Sequence, residues 1–210
     1  MKINSSIKLC LLAVLFLTIP NVVSNARADL KIGAAAPQEL LFKTADGKET
    51  NLAEFKGKTV VLEWLNAECP YVKKHYSVSN MQALQKEYTD KGVIWLTVNS
   101  SAPGKQGALD ETSAAAFVKS SSSSQTAVVL DSSGALGRAF GAKTTPHMFV
   151  VDGLGKLAYE GAIDDNDSAR SATIVGAKNY VKLAVDEILA GKPVTIAQTE
   201  AYGCSVKYAS

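Results

Sequence analysis

Several things are scarce in this 210-residue chain. There are three cysteines, two histidines and a formal charge of only +2. The small charge implies no basic nucleic-acid surface. Lys2, Lys8 and Arg27 sit in the first 28 residues with no acidic residue beside them, so the remainder carries 2 − 3 = −1. Long apolar runs are also lacking. The one candidate, Leu9 to Ile19, is too short and wrongly flanked for a membrane span. No internal repeat is visible. Most telling is a missing second thiol: 68-ECPYVKKHY-76 has Val72 where a C-x-x-C motif would place its partner.

What is present begins with a targeting pattern. Lys2 and Lys8 form a positive start, Leu9 to Ile19 an apolar centre, and Ala26-Arg27-Ala28 an A-x-A cleavage signal. Residues 1–28 are therefore expected to be a cleaved signal peptide and the mature protein to be periplasmic or secreted. Cleavage removes Cys10. It leaves Cys69 and Cys204, an even pair in an oxidising compartment, where one intramolecular disulfide, permanent or cycling, is expected.

The rest reads as one α/β domain over residues 29–193 with a tail, 194–210, that has no clear period. Residues 38–43 and 48–52 flank Asp46-Gly47, a hairpin signal. The β-branched run 59-TVVLEW-64 and 93-VIWLTV-98 read as buried strands. Between them, apolar residues at Val72, Tyr76, Met81, Leu84 and Tyr88 predict one helix over 70–88. Helices are further expected over 110–119, 133–141 and 177–190, and strands over 127–130, 148–151 and 157–161. Ser120 to Ser124 reads as a solvated loop or a frayed helix end. This order predicts a sheet that is parallel in its first half and antiparallel in its late hairpin.

Cys69 stands where strand hands over to helix. Pro70 suits the first helical position, which makes Cys69 the N-cap. Free N–H groups and the helix dipole there favour a thiolate, the nucleophile of disulfide exchange and of attack on peroxide. The alternative is a buried structural cysteine. Glu63, a carboxylate in an apolar strand, is expected either to be desolvated and carry a proton for the thiol or to point to an exposed face. His147 is a candidate thiolate partner or an ordinary satisfied polar residue, and so is His75 on the helix.

Together, 47-GKETNLAEFKGKTVVLEW-64, 68-ECPYVKKHY-76, 141-GAKTTPHMFVVDGLGKLAYEGAIDD-165 and 202-YGCSVKY-208 resemble the thioredoxin-fold redoxins of the AhpC/TSA peroxiredoxin-like group, in the subgroup with one active-site cysteine and another near the C-terminus. The resemblance spans roughly residues 32–191 besides the tail. It implies a thioredoxin-like three-layer sandwich, a mixed sheet flanked by helices with an N-terminal β-hairpin. It implies Cys69 as nucleophile, Cys204 as resolving partner, a cis Pro146 facing Cys69, and Glu63 as the buried carboxylate. Thr145, Pro146, Asn66 and His147 fall on the substrate side. Two departures stand out: Leu62 and Asn66 replace the Pro and Thr of P-x-x-x-T-x-x-C, and neither Arg138 nor Arg170 matches an active-site arginine.

Three activities follow. One is a thiol peroxidase, with a peroxide as substrate and an external dithiol as reductant. The second is thiol–disulfide exchange with protein partners. The third is a binding protein stapled by a permanent Cys69–Cys204 bond. No cofactor and no metal is expected: copper carriers of this fold resemble C-x-x-x-C-P, and here position 65 is Leu, leaving Cys69, His75 and His147 as a thin ligand set.

Overall fold

A computed structural model describes residues 30–209. The expected signal peptide, its cleavage site and Cys10 lie outside these residues. Among the described residues no helix is long and apolar enough to cross a membrane.

Two short strands, β1 (Phe42–Lys43) and β2 (Glu49–Thr50), form the N-terminal hairpin, with Gly47 at φ +88° supplying the turn. Then come β3 (Val60–Trp64), α1 (Pro70–Tyr76), α2 (Asn80–Asp90), β4 (Ile94–Asn99), α3 (Glu111–Ser121), β5 (Ala127–Leu130) and α4 (Ala135–Phe140). The chain closes with β6 (Thr144–Thr145), β7 (His147–Val151), β8 (Leu157–Gly161), α5 (Tyr180–Leu189) and β9 (Cys204–Ser205).

The central sheet runs β5-β4-β3-β7-β8. The β3–β4 and β4–β5 pairs are parallel, and β3–β7 and β7–β8 antiparallel, as the pattern of elements predicts. Every residue of β3 is buried, which explains its unbroken apolar run: both faces are covered. Alternation still sorts the faces. Leu62 and Trp64 join Phe140, Phe149 and Leu136 on one side; Val61 joins Met81, Leu84, Tyr88, Val181 and Val185 on the other. Glu63 shares the parity of Val61, so it enters the layer of α1 and α2.

The expected single helix over 70–88 is two. It breaks at Ser77–Ser79, where Ser79 adopts a left-handed φ of +61° and the Gln82 amide donates to the freed Tyr76 carbonyl. The apolar spacing carries the reason. Tyr76 and Met81 are five residues apart, a step that one continuous helix cannot keep on a single face. Breaking there lets Tyr76 face Glu63 while Met81 enters the core. The Ser-rich run is the end of a helix, since α3 continues to Ser121.

Candidate active site

Five residues carry the chain from the buried end of β3 to α1. Cys69 is the N-cap of α1, extended at φ −67°, ψ 127°, with Pro70 opening the helix. Its sulfur makes no cap bond; the thiol instead donates to the Thr145 carbonyl at 3.0 Å. The residue is 1% exposed. Asn66 fastens this turn. Its carbonyl accepts from the Cys69 N–H at 3.0 Å and its side-chain oxygen from the Glu68 N–H at 2.9 Å, while its amide donates to Gln106 at 3.2 Å. Both ends of the Asn66 side chain are thus committed to holding the backbone. It is expected on the substrate side; the structure makes it a fastener.

Opposite Cys69 lies the cis Thr145–Pro146 peptide, as the resemblance implies. The tail pairs with it: β9 runs antiparallel to β6, with Cys204 opposite Thr145. The Thr145 hydroxyl donates to the Cys204 carbonyl at 3.4 Å. Gly203 makes this approach feasible, since a Cβ there would lie 2.1 Å from the Thr145 oxygen, and its φ of +139° suits glycine. Cys204 packs on the small cluster of Leu65, Cys69 and Val72. Both cysteines are free.

The two thiols are driven apart in acidity. Burial opposes ionisation of Cys69, but the Cys204 thiol, the N–H groups of Val72 and Cys204 and the Thr145 side chain outweigh it together, leaving Cys69 below the ordinary thiol value. Cys204 goes the other way, to about 11, through burial and then through donation to Cys69 and the charge that forms there. This division suits a nucleophile and a resolving thiol.

Glu63 is fully buried. Its carboxylate accepts from Tyr76 at 2.8 Å, Trp95 at 3.0 Å, Gln85 at 3.2 Å and Thr97 at 3.4 Å. Burial pushes its pKa up, and these four bonds pull against that rise. Cys69 is not one of these partners. Glu63 meets the nucleophile through Tyr76, on the same helix, so its observed work is to hold α1 on the sheet.

Of the two readings of His147, the structure shows the ordinary satisfied polar residue. At the start of β7 it pairs with Trp64 and shares that face, opposite to Glu63. Its ring packs on Phe149 with 4.4 Å between centroids, its Nδ1 accepts from the Lys143 N–H, and it lines a cavity of about 770 Å³ with Thr144 and Gln198. Burial lowers it to about 3, so it supplies no positive charge to a thiolate near neutral pH. His75 is also buried, bonded through Nδ1 to Asn80 and lowered to about 4 chiefly by burial. Among the described residues no three His, Cys, Asp or Glu side chains form a metal-holding group.

Sequence reasoning missed a second buried polar group. Lys74, one turn along α1 from Cys69, is 2% exposed. Its ammonium meets Asp164 at 3.3 Å and donates to the Asn166 carbonyl at 2.6 Å and to the Tyr202 hydroxyl at 3.4 Å. Tyr202 donates in turn to Asp164. These partners stand 90 and 128 residues from Lys74 in the chain, and no local signal announces them. A lysine in a helix reads as solvated unless its fold partners are known.

A family model described as Redoxin matches residues 20–175. Comparison with curated proteins finds no match. Among solved structures, an uncharacterized conserved protein from Geobacillus kaustophilus is 23% identical with a TM-score of 0.75, over 86% of this chain and 93% of that one. A hypothetical protein from Sinorhizobium meliloti is 23% identical with a TM-score of 0.72, over 87% and 97%. A putative protein disulfide isomerase from Bacteroides thetaiotaomicron is 18% identical with a TM-score of 0.54, over 77% and 91%. These likenesses share the thioredoxin-like architecture built above.

Proposed function

Because the chain belongs to the Redoxin family and is a thiol-based oxidoreductase, we propose that it cycles between a Cys69/Cys204 dithiol and a Cys69–Cys204 disulfide while reducing a small oxidant. The observation that carries this reading is that β9 lays Cys204 opposite Thr145, whose carbonyl accepts from the Cys69 thiol, and packs it on the cluster that holds Cys69. In the first step the Cys69 thiolate attacks an O–O or S–S bond. From a hydroperoxide it takes one oxygen, becomes a sulfenic acid and expels an alcohol or water. From a disulfide it forms a mixed disulfide and expels one thiolate. In the second step Cys204 attacks the Cys69 sulfur, releasing water or the second thiolate, with its own proton passing to solvent or to the leaving group. The protein has then lost two electrons, and an external dithiol returns them.

Burial of Cys69 beneath the tail favours a small oxidant, a hydroperoxide first. Exchange with protein disulfides is the second reading. It draws on the β6–β9 pairing, because an extended segment already lies antiparallel on Thr145, and the same edge would accept a partner's strand once the tail leaves. A permanent staple is the weakest reading, because the tail is held by many ties other than sulfur. The pattern of residues 1–28 supports work in an oxidising compartment outside the cytoplasm.

The test is oxidation of the reduced protein by hydrogen peroxide and, separately, by hydroxyethyl disulfide, followed by intact mass. The reading expects a loss of two hydrogens at a rate well above that of free cysteine, with the greater advantage for peroxide. Oxidation of Cys69 no faster than free cysteine by either reagent defeats it. Rapid reaction with the disulfide alone moves the assignment to exchange.

A further inference from the structure

The tail is received by the body at points prepared for it. A Cβ at Gly203 would strike the Thr145 carbonyl, one at Gly161 the Thr199 side chain at 2.3 Å, and one at Gly137 the Tyr208 hydroxyl at 2.3 Å. The far end is closed by the Tyr208 hydroxyl on the Ala142 carbonyl at 2.8 Å and by the Arg138 guanidinium over the Tyr208 ring at 4.5 Å. One tie differs in kind from these. Tyr202 reaches not the general body but α1, the helix that has Cys69 at its start. Its hydroxyl meets Lys74 and His75, each at 3.4 Å, and bonds Asp164; its ring lies 5.8 Å from that of Tyr71 and 5.3 Å from the Lys74 ammonium. Lys74, His75 and Tyr71 all belong to α1.

Two short pieces of chain are therefore tied twice. Cys69 caps, and Lys74 sits on, one seven-residue helix; Tyr202 and Cys204 sit on one three-residue segment. Cys204 packs on the cluster of Leu65, Cys69 and Val72 at one end, and the phenol meets a buried ammonium–carboxylate pair at the other. Lys74 and Asp164 cancel each other's charge, and the shared phenol supplies a donor to the carboxylate and an acceptor to the ammonium. Such an arrangement is costly to leave half made, because an unpaired buried polar group carries its full desolvation penalty. It holds the tail in one register.

We infer that Tyr202, gripped by Lys74 and Asp164, is the positioning residue that fixes the effective concentration of the Cys204 thiol at Cys69. The inference rests on the dithiol cycle proposed above. It assigns Lys74 and Asp164 to resolution of the Cys69 adduct rather than to attack on the oxidant. In the step concerned, an external disulfide RSSR first converts Cys69 to Cys69–S–S–R and releases RSH. Cys204 then attacks the Cys69 sulfur, the S–R bond breaks, and a second RSH leaves with the Cys204 proton. Tightening the second event without touching the first is what an intramolecular anchor does.

The experiment uses hydroxyethyl disulfide as RSSR with the reduced full chain, acid quenching and intact mass. It measures the ratio of internal disulfide to mixed disulfide. Wild type is expected to pass to the internal disulfide with little adduct. Tyr202→Phe keeps the ring contacts and loses the hydroxyl, and is expected to raise the adduct share about tenfold while the rate of first attack stays within about twofold. Asp164→Asn, which retains an acceptor for Tyr202, is expected to lie between the two. Thermal melts of each variant separate a folding defect, which would slow both events together. Cys204→Ser is the control. If it accumulates adduct while Tyr202→Phe resolves like wild type, the anchor is overturned and the dithiol cycle stands. If Cys204→Ser resolves like wild type, or if it neither forms adduct nor is oxidised at Cys69 by hydrogen peroxide faster than free cysteine, the cycle itself fails and the anchor with it; if only the peroxide reacts, the cycle stands and the anchor for disulfide resolution is overturned.

Discussion

Cys69 and Cys204 face the same Thr145 and contribute the same functional group, yet the fold treats them in opposite ways. Cys69 is set in a turn fastened by Asn66, at the junction of a fully buried strand and a short helix, with its thiol donating to the Thr145 carbonyl. Cys204 rides a two-residue strand at the edge of the domain, on a segment that needs Gly203 to come close at all. One thiol is built in and the other is brought. The lesson is that the roles of nucleophile and resolver come from which backbone groups surround each sulfur, because the sulfurs have identical intrinsic chemistry.

The comparison breaks most completely if Cys204 is prevented from arriving. In Gly203→Ala the new methyl meets the Thr145 carbonyl and the residue must hold a φ of +139°. Formation of the internal disulfide is expected to slow by roughly 10- to 100-fold, while iodoacetamide labels Cys204 faster. Quenched-flow mass measurement reads both, and a wild-type rate of closure would show that the tail does not need this approach.

Titration of the single-cysteine variants sharpens the same contrast. In Cys69→Ser, burial still raises Cys204 but the contribution of the neighbouring thiol is lost, and Cys204 is expected to titrate below its wild-type value. In Cys204→Ala, Cys69 loses the side chain that does most to lower it, and its titration moves upward. Alkylation rates against pH report both, and two unmoved curves would mean that the thiols ionise independently.

The smallest expected effect concerns the scaffold beneath Cys69. Burial raises Glu63 in the folded protein above its value in the unfolded chain. Folding therefore favours the protonated carboxyl. The stability this contributes is fully present below the unfolded carboxyl value and is lost as pH rises through the folded one. The melting temperature of wild type should fall relative to Glu63→Gln by a few degrees between about pH 4 and about pH 8. A parallel pair of curves would show that the four donors around Glu63 hold it ionised throughout.

Much of the architecture was legible because it is written in local alternation. The buried runs at 60–64 and 94–99, the hairpin at Asp46-Gly47, and strands 127–130 and 157–161 emerge where periodicity and turn residues place them. So does the N-cap of α1, since Pro70 can open a helix but not continue one. The break between α1 and α2 was also present, as the five-residue step from Tyr76 to Met81, but it is too small a departure to outweigh the longer helical pattern. The orientation of His147 was not legible. Its face is set by its register opposite Trp64 on a strand 83 residues away (147 − 64), and one slip in that register would reverse it.

The candidate site divides along the same line. The sequence by itself determined that Cys69 begins a helix at the end of a buried strand, that its local partner is absent at Val72, and that Cys204 is the other thiol available after residue 28. These are consequences of residue type and near-neighbour spacing. Only the tertiary structure decided that Cys204 reaches Cys69, that Asn66 fastens the turn, that Glu63 is tied to Tyr76, Gln85, Trp95 and Thr97, and that Lys74, Asp164 and Tyr202 share one buried site. Hydrogen bonds and desolvation act between atoms a few ångströms apart, and it is the path of the folded chain that brings residues a hundred positions apart to that distance.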